Sequence, residues 1–212
     1  MTSKACNFAK NLIINILENS TFCSLNKPRK DFMISVLWHI LSIKGKINFL
    51  QLERFSSYSE QTFRNNYEET FDFMKFNTLM IEEVCSTERV IAFDPSYIPK
   101  AGKKTYGCSY FWSGVAKSAK WGLDIGGFAV VDVPKNTAFH LNAWQTPSAD
   151  KIKEEGFNLL SYYGNLITEN AEEFKKIAFF LVCDAYFSKK PFVDVVGISG
   201  MHLISRLRAI IS

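Results

Sequence analysis

Apolar residues in the first 88 positions recur at helical spacing. Phe8, Leu12, Ile13, Ile16 and Leu17 form one stripe. Pro28 precedes a second run with Phe32, Val36, Leu37, Ile40 and Leu41 on one face, and Gly45 breaks it. A short segment follows with Phe49, Leu52 and Phe55. Ser57 and Glu60 fit a Ser-x-x-Glu capping box that opens a third run, with Phe63, Tyr67, Phe71 and Met74 as its stripe. A short helix, a Ser/Tyr turn and a longer helix bearing Arg64, Asn65 and Asn66 outline a helix-turn-helix. Any helical bundle offers the same outline, so the segment alone does not select DNA as its ligand.

The period changes at Arg89. Val90 to Phe93 is a short apolar run stopped by Asp94-Pro95, which predicts a buried strand. A basic, glycine-containing stretch spans Lys100 to Gly122. Strands are predicted over Leu123–Val133 and Thr137–Trp144, joined by a Pro134-Lys135-Asn136 turn. Ala149–Lys176 is helical in pattern, with a break expected at Gly164. Ala178–Cys183 predicts another buried strand ending at Asp184. Phe192–Val196 predicts a short helix and Met201–Leu207 a last strand. The expected fold is α/β: a mixed sheet flanked by helices over residues 89–212, after an all-helical region over 1–88.

An apolar fraction of 47% with 22% charged residues excludes disorder as the main architecture, and 19 Phe among 212 residues require a sizeable core. No run approaches the ~18 apolar residues of a membrane helix, and the start lacks a signal-peptide core, so a cytoplasmic protein without membrane contact is expected. The five Cys show no CxxC spacing and are expected to be buried, reduced thiols. The net charge of +4 is concentrated. Residues 89–135 hold seven basic and three acidic side chains, whereas the flanking segments are each balanced. A confined cationic block suits a polyanion, although a solvated lysine-rich loop has the same composition.

Asp94 and Asp184 each follow a buried apolar run. A carboxylate at such a position is costly unless it is paired, caps a turn or binds a cation. On neighbouring strands the two would converge, and a hard divalent cation such as Mg²⁺ or Mn²⁺ would relieve their repulsion. A phosphoryl-transferring nucleophile at Asp94 is the other reading. It wants a second carboxylate two residues on, where this chain has Ser96.

The stretch from Phe93-Asp94-Pro95-Ser96-Tyr97-Ile98-Pro99-Lys100 through Gly107 resembles the first catalytic motif of the DDE transposases of bacterial insertion sequences. The likeness continues through Phe111-Trp112-Ser113-Gly114, Lys120 to Ile125, Thr137 to Leu141 and Gln145-Thr146-Pro147. Val182-Cys183-Asp184-Ala185-Tyr186-Phe187-Ser188 resembles the second catalytic motif, and His202 to Arg208 the strand after it. The resemblance implies an RNase H-like core using Mg²⁺ or Mn²⁺, with Asp94 and Asp184 as the first two of three acidic metal ligands. It implies cleavage and strand transfer at an element's ends. The partners would be transposon-end and target DNA, with a homodimer among the assemblies open to it, and the location the bacterial nucleoid.

The resemblance further implies phosphate contacts by Lys100, Lys103, Lys104, Lys117, Lys120 and Arg206. Tyr106, Tyr110, Phe111 and Trp112 lie among these cations, suited either to base stacking or to packing under the loop. His140 and His202 have no partner at metal-ligand spacing and are expected to be structural. The third acidic residue has no counterpart after Asp184, since Asp194 lies too close and on the wrong element. The expectation is therefore a C-terminally truncated transposase without appreciable activity. The alternative is a non-catalytic remnant that binds DNA.

Overall fold

The computed structural model describes residues 3–102 and 105–207, so Lys103, Lys104 and Arg208 lie outside the described residues. The chain divides into two compact units, one up to Met80 and one from Ile81.

The first unit is helical: α1 (Ser3–Glu18), α2 (Lys27–Ser42), α3 (Phe49–Phe55), α4 (Glu60–Tyr67) and the first part of α5 (Phe73–Val84). Asparagine and serine caps open three of these helices. Asn26 accepts from the Arg29 amide, Asn48 from Gln51 and Ser59 from Thr62. The α4 cap is therefore Ser59 rather than Ser57. The third apolar run is also two helices, because α4 stops at Tyr67 and α5 begins at Phe73. Phe71, in the break, stacks on Phe22 with centroids 5.6 Å apart. Leu17, Leu52 and Phe63 are the most completely buried members of this core. The Arg29 guanidinium donates to Asn66 Oδ1 (2.7 Å) and to the carbonyls of Asn66 and Glu69, which ties α2 to the end of α4.

The second unit is built on one mixed sheet of six strands: β1 (Arg89–Pro99), β2 (Ser109–Ser113), β3 (Ser118–Asp132), β4 (Thr137–Gln145), β5 (Phe180–Cys183) and β6 (His202–Ser205). Across the sheet the order is β4-β3-β1-β5-β6, with β2 pairing with the opening residues of β3. β1, β3 and β4 pair antiparallel, whereas β1, β5 and β6 run parallel. The helices α6 (Ala149–Glu154), α7 (Leu159–Ile177) and α8 (Lys190–Ile198) accompany it. Phe93, Phe128, Tyr163, Phe174, Phe187 and Phe192 fill the core between sheet and helices, each essentially inaccessible to solvent.

Three expectations about this unit change. β1 runs through Pro95 to Pro99. Past Phe93 it has a strand neighbour on one side only, where a missing N–H is tolerated. The basic stretch between Lys100 and Gly122 contains β2 and the start of β3 rather than a loop throughout. The helical break falls at Gly156, in the left-handed region at φ +81°, after which Asn158 and Ser161 form a reciprocal capping box. Gly164 instead sits inside α7, where a Cβ would come within 3.2 Å of Val195, so it permits close approach of α8. The thiols also differ from expectation: Cys183 is buried, but Cys23 is exposed and Cys85 and Cys108 are half-buried. Among the described residues no helix is long and apolar enough to cross a membrane.

Asp132, fully buried at the end of β3, holds the approach to β1. It accepts from the Ser86 amide (2.8 Å) and hydroxyl (2.7 Å) and from the Lys135 amide (3.1 Å), with Lys135 Nζ 3.5 Å away. Burial alone would raise its pKa. The hydrogen bonds from Ser86 and Lys135 and the Lys135 charge outweigh burial and lower it to about 2. A depressed carboxyl contributes stability that is present above the unfolded value of ~3.9 and lost as pH falls through 2. Asp132→Asn is expected to lower Tm at neutral pH by several degrees. Thermal melts followed by circular dichroism should show that gap closing between pH 4 and 2, and a gap independent of pH would refute the assignment.

Candidate functional site

β5 stops at Cys183, which pairs with Phe93 in the middle of β1. The next residues in that parallel register are Asp94 and Asp184. Corresponding positions on neighbouring parallel strands share a face and are separated by ~4.8 Å of backbone. The two candidate carboxylates are thus brought side by side, with β1 continuing beyond them as a shelf. Asp184 also does what a capping residue does. Its Oδ1 accepts from the Tyr186 amide (2.9 Å) and caps the single 3₁₀ turn Ala185–Phe187, while its carbonyl accepts from Ser205 Oγ (2.7 Å).

The electrostatics follow from that placement. Burial, and then the charges of Asp184 and Asp124, hold the Asp94 carboxyl above its ordinary range. Burial, followed by Asp184 and Asp94, pushes the neighbouring Cys183 thiol up to about 12, so it stays protonated. A cleft of about 270 Å³ opens here, lined by Asp94, Asp124, Asp184, Trp112, Tyr163 and Tyr186 among others.

Sequence reasoning does not single out Asp124. It lies on β3 and is 7% exposed. Its Oδ2 accepts from Thr146 Oγ1 (2.6 Å) and from the Tyr163 hydroxyl. Burial and the Asp124 charge raise the Tyr163 phenol far above its ordinary value, which keeps it a donor. The available signal was parity. Gly122, Asp124, Gly126 and Phe128 alternate on the inward face of β3, and a carboxylate there requires partners.

The donor set suits a hard cation: two carboxylates on one face, both on exposed residues. Among the described residues no group of three or more His, Cys, Asp or Glu is placed to hold a metal ion. Asp124 therefore shares the cleft without completing a ligand set. Asp194 is drawn away by Lys190 on α8 (2.5 Å).

Among the described residues, none of the candidate cations lines the cleft itself. Lys100 is exposed immediately after β1. Lys117 turns the β2–β3 hairpin at φ 49°, and Lys120 is exposed on β3 opposite Phe111. Arg206 is exposed just past β6 rather than within a strand. Phe111 is buried, whereas Tyr106, Tyr110 and Trp112 are exposed. His140 and His202 are both exposed, and the His202 ring lies 5.5 Å from that of Phe180.

In the helical unit, Arg64 pairs with Glu60 and lies over Phe49. Asn65 accepts from Gln61, and Asn66 serves Arg29 and Thr62. These three side chains are occupied within their own unit. No family model matches the chain, and no curated protein matches its sequence.

Proposed function

We propose that the chain is a DDE transposase-type core that binds DNA and presents Asp94 and Asp184 as ligands for Mg²⁺ or Mn²⁺. The observation that carries this reading is that Asp94, on β1, and Asp184, just past the end of the neighbouring parallel strand β5, line one cleft and that the Asp184 charge is felt at Asp94. The mixed sheet, antiparallel on one side and parallel on the other, is compatible with an RNase H-like core. A bound divalent cation would activate water and stabilise the leaving oxygen in phosphodiester cleavage and strand transfer at a mobile element's ends. Asp94 and Asp184 supply its protein oxygens. Lys100, Lys117 and Lys120, with Lys103 and Lys104, hold the phosphate backbone without reading sequence.

The second reading, a DNA-binding remnant without catalysis, draws on the lack of a three-residue ligand group among the described residues. Both readings require phosphate contacts by the central block. Binding to a duplex, followed by fluorescence anisotropy across salt concentrations, is expected to weaken steeply and with little sequence preference. Replacing Lys100, Lys103 and Lys104 with Ala should flatten the log–log salt slope by up to about three units, roughly 0.9 for each phosphate no longer neutralised. An unchanged slope removes these lysines from the interface. No DNA binding at low salt removes both readings.

A further inference from the structure

The β2–β3 hairpin has its polarity inverted. Phe111 and Ser113 point inward and are buried at 7% and 5% exposure, whereas Tyr110 and Trp112 point outward at 67% each. Cross-strand register places Trp121 opposite Tyr110 and Ala119 opposite Trp112. Tyr110, Trp112 and Trp121 therefore share the outer face, with the Tyr110 and Trp121 rings 5.5 Å apart. Trp121 is fixed in place. Its indole N–H donates to the Gly102 carbonyl (3.4 Å), and its own carbonyl accepts from the Tyr97 hydroxyl (2.6 Å). Trp112 also lines the cleft that holds Asp94 and Asp184.

We propose that Tyr110, Trp112 and Trp121 form a stacking platform for unpaired nucleobases, so that the hairpin receives a single-stranded DNA segment beside the two carboxylates. This rests on the DNA-binding reading above and adds which form of DNA the hairpin takes. Aromatic faces open to solvent offer every base a π-surface, whereas bases inside a duplex are already stacked on one another. The surrounding charge fits the same occupant. Lys117 sits at the hairpin turn and Lys100 just past β1, within the block that carries the chain's whole positive excess, whereas Lys120 pairs with Phe111 on the other face of the hairpin. An acidic or neutral protein surface would use the cations or the rings. Single-stranded nucleic acid uses both, with phosphates on the lysines and bases on the rings.

The test compares a labelled 15-nucleotide oligothymidylate with a duplex of equal length, by anisotropy and by quenching of tryptophan fluorescence. The protein is the full chain, its fold checked by circular dichroism. Trp112→Ala and Tyr110→Ala should each weaken single-strand binding by roughly 5- to 150-fold, the range expected for removing one base–aromatic stack. Duplex affinity and its salt slope should hold, and Trp112→Phe should keep most of the single-strand affinity. Equal losses on both DNAs, or none on the single strand, would overturn the platform while leaving the DNA-binding reading intact. Self-association that disappears in Trp112→Ala, without a change in single-strand binding, would assign this face to a second copy of the chain and also overturn it. Failure to bind either DNA would instead overturn the DNA-binding reading itself.

Discussion

Replacing Asp94 or Asp184 with Ala is expected to abolish measurable Mn²⁺ binding at the cleft. The wild-type protein should bind the ion with a dissociation constant on the order of millimolar, because two carboxylates leave the ion most of its waters. Titration followed by the Mn²⁺ paramagnetic resonance signal reads this directly. Retention of affinity in both variants would mean that the pair is not a ligand set. Burial, and then the charges of Asp184 and Asp124, make a second, opposite change in the metal-free protein. Asp94 holds its proton more tightly when folded than when unfolded, so stability falls as pH rises from ~4 through its raised value.

Asp94→Asn should therefore raise Tm at neutral pH by a few degrees, and the gain should vanish below about pH 4, where both forms are uncharged. Millimolar Mn²⁺ should raise the wild-type Tm but not that of the variant. With millimolar Mg²⁺ the protein is expected to leave DNA uncut, since among the described residues no third side chain completes a ligand set with Asp94 and Asp184. Efficient cleavage lost in Asp94→Ala would require a third ligand, and Asp124 is the carboxylate that the cleft offers.

Phe128→Ala is expected to cost about 3–5 kcal/mol, the usual penalty for removing a large buried ring. Phe128 is fully buried, and its ring lies 4.4 Å from Phe93, 4.9 Å from Phe174 and 5.3 Å from Trp144. Its loss opens a cavity between β1, β3, β4 and α7 at once. Domains of this size are stable by only about 5–15 kcal/mol, so the variant should be partly unfolded or melt far earlier. Urea denaturation checks the figure, and a cost below about 1 kcal/mol would mean that the aromatic cluster collapses to fill the space. The effect should be larger than that of Phe111→Ala, since Phe111 lies outward of this cluster on the two-stranded hairpin.

The α/β class could be read from the chain because β5 and the first half of β1 are uninterrupted apolar runs that end at Asp, while the helices carry apolar residues at helical spacing among polar ones. β2 could not. Its inward positions are Phe111 and Ser113 and its outward ones Tyr110 and Trp112, so hydrophobicity does not track burial there. Lys117 and Lys120 then disguise the entry to β3. The site divides in the same way. Asp94 and Asp184 announce themselves locally, each after its own apolar run. Asp124 sits between Leu123 and Ile125 and looks like an ordinary outward residue. Its parity with Phe128 places it on the inward face, and its partners there, Thr146 and Tyr163, lie 22 and 39 positions further along the chain.

The shelf formed where β5 ends beside β1 decides how the carboxylate pair can respond to its own repulsion. Phe93 is laddered to β3 on one side and to Cys183 on the other, and the turn after Asp184 is tied to β6 by Ser205. Backbone in such a position opens only with the cooperative unit as a whole, unlike fraying ends and surface loops. The separation of the two charges is therefore not adjustable by local breathing. Their repulsion is a persistent strain held in place by the ladder at Phe93 and Cys183, relieved by a proton or a cation but not by a hinge.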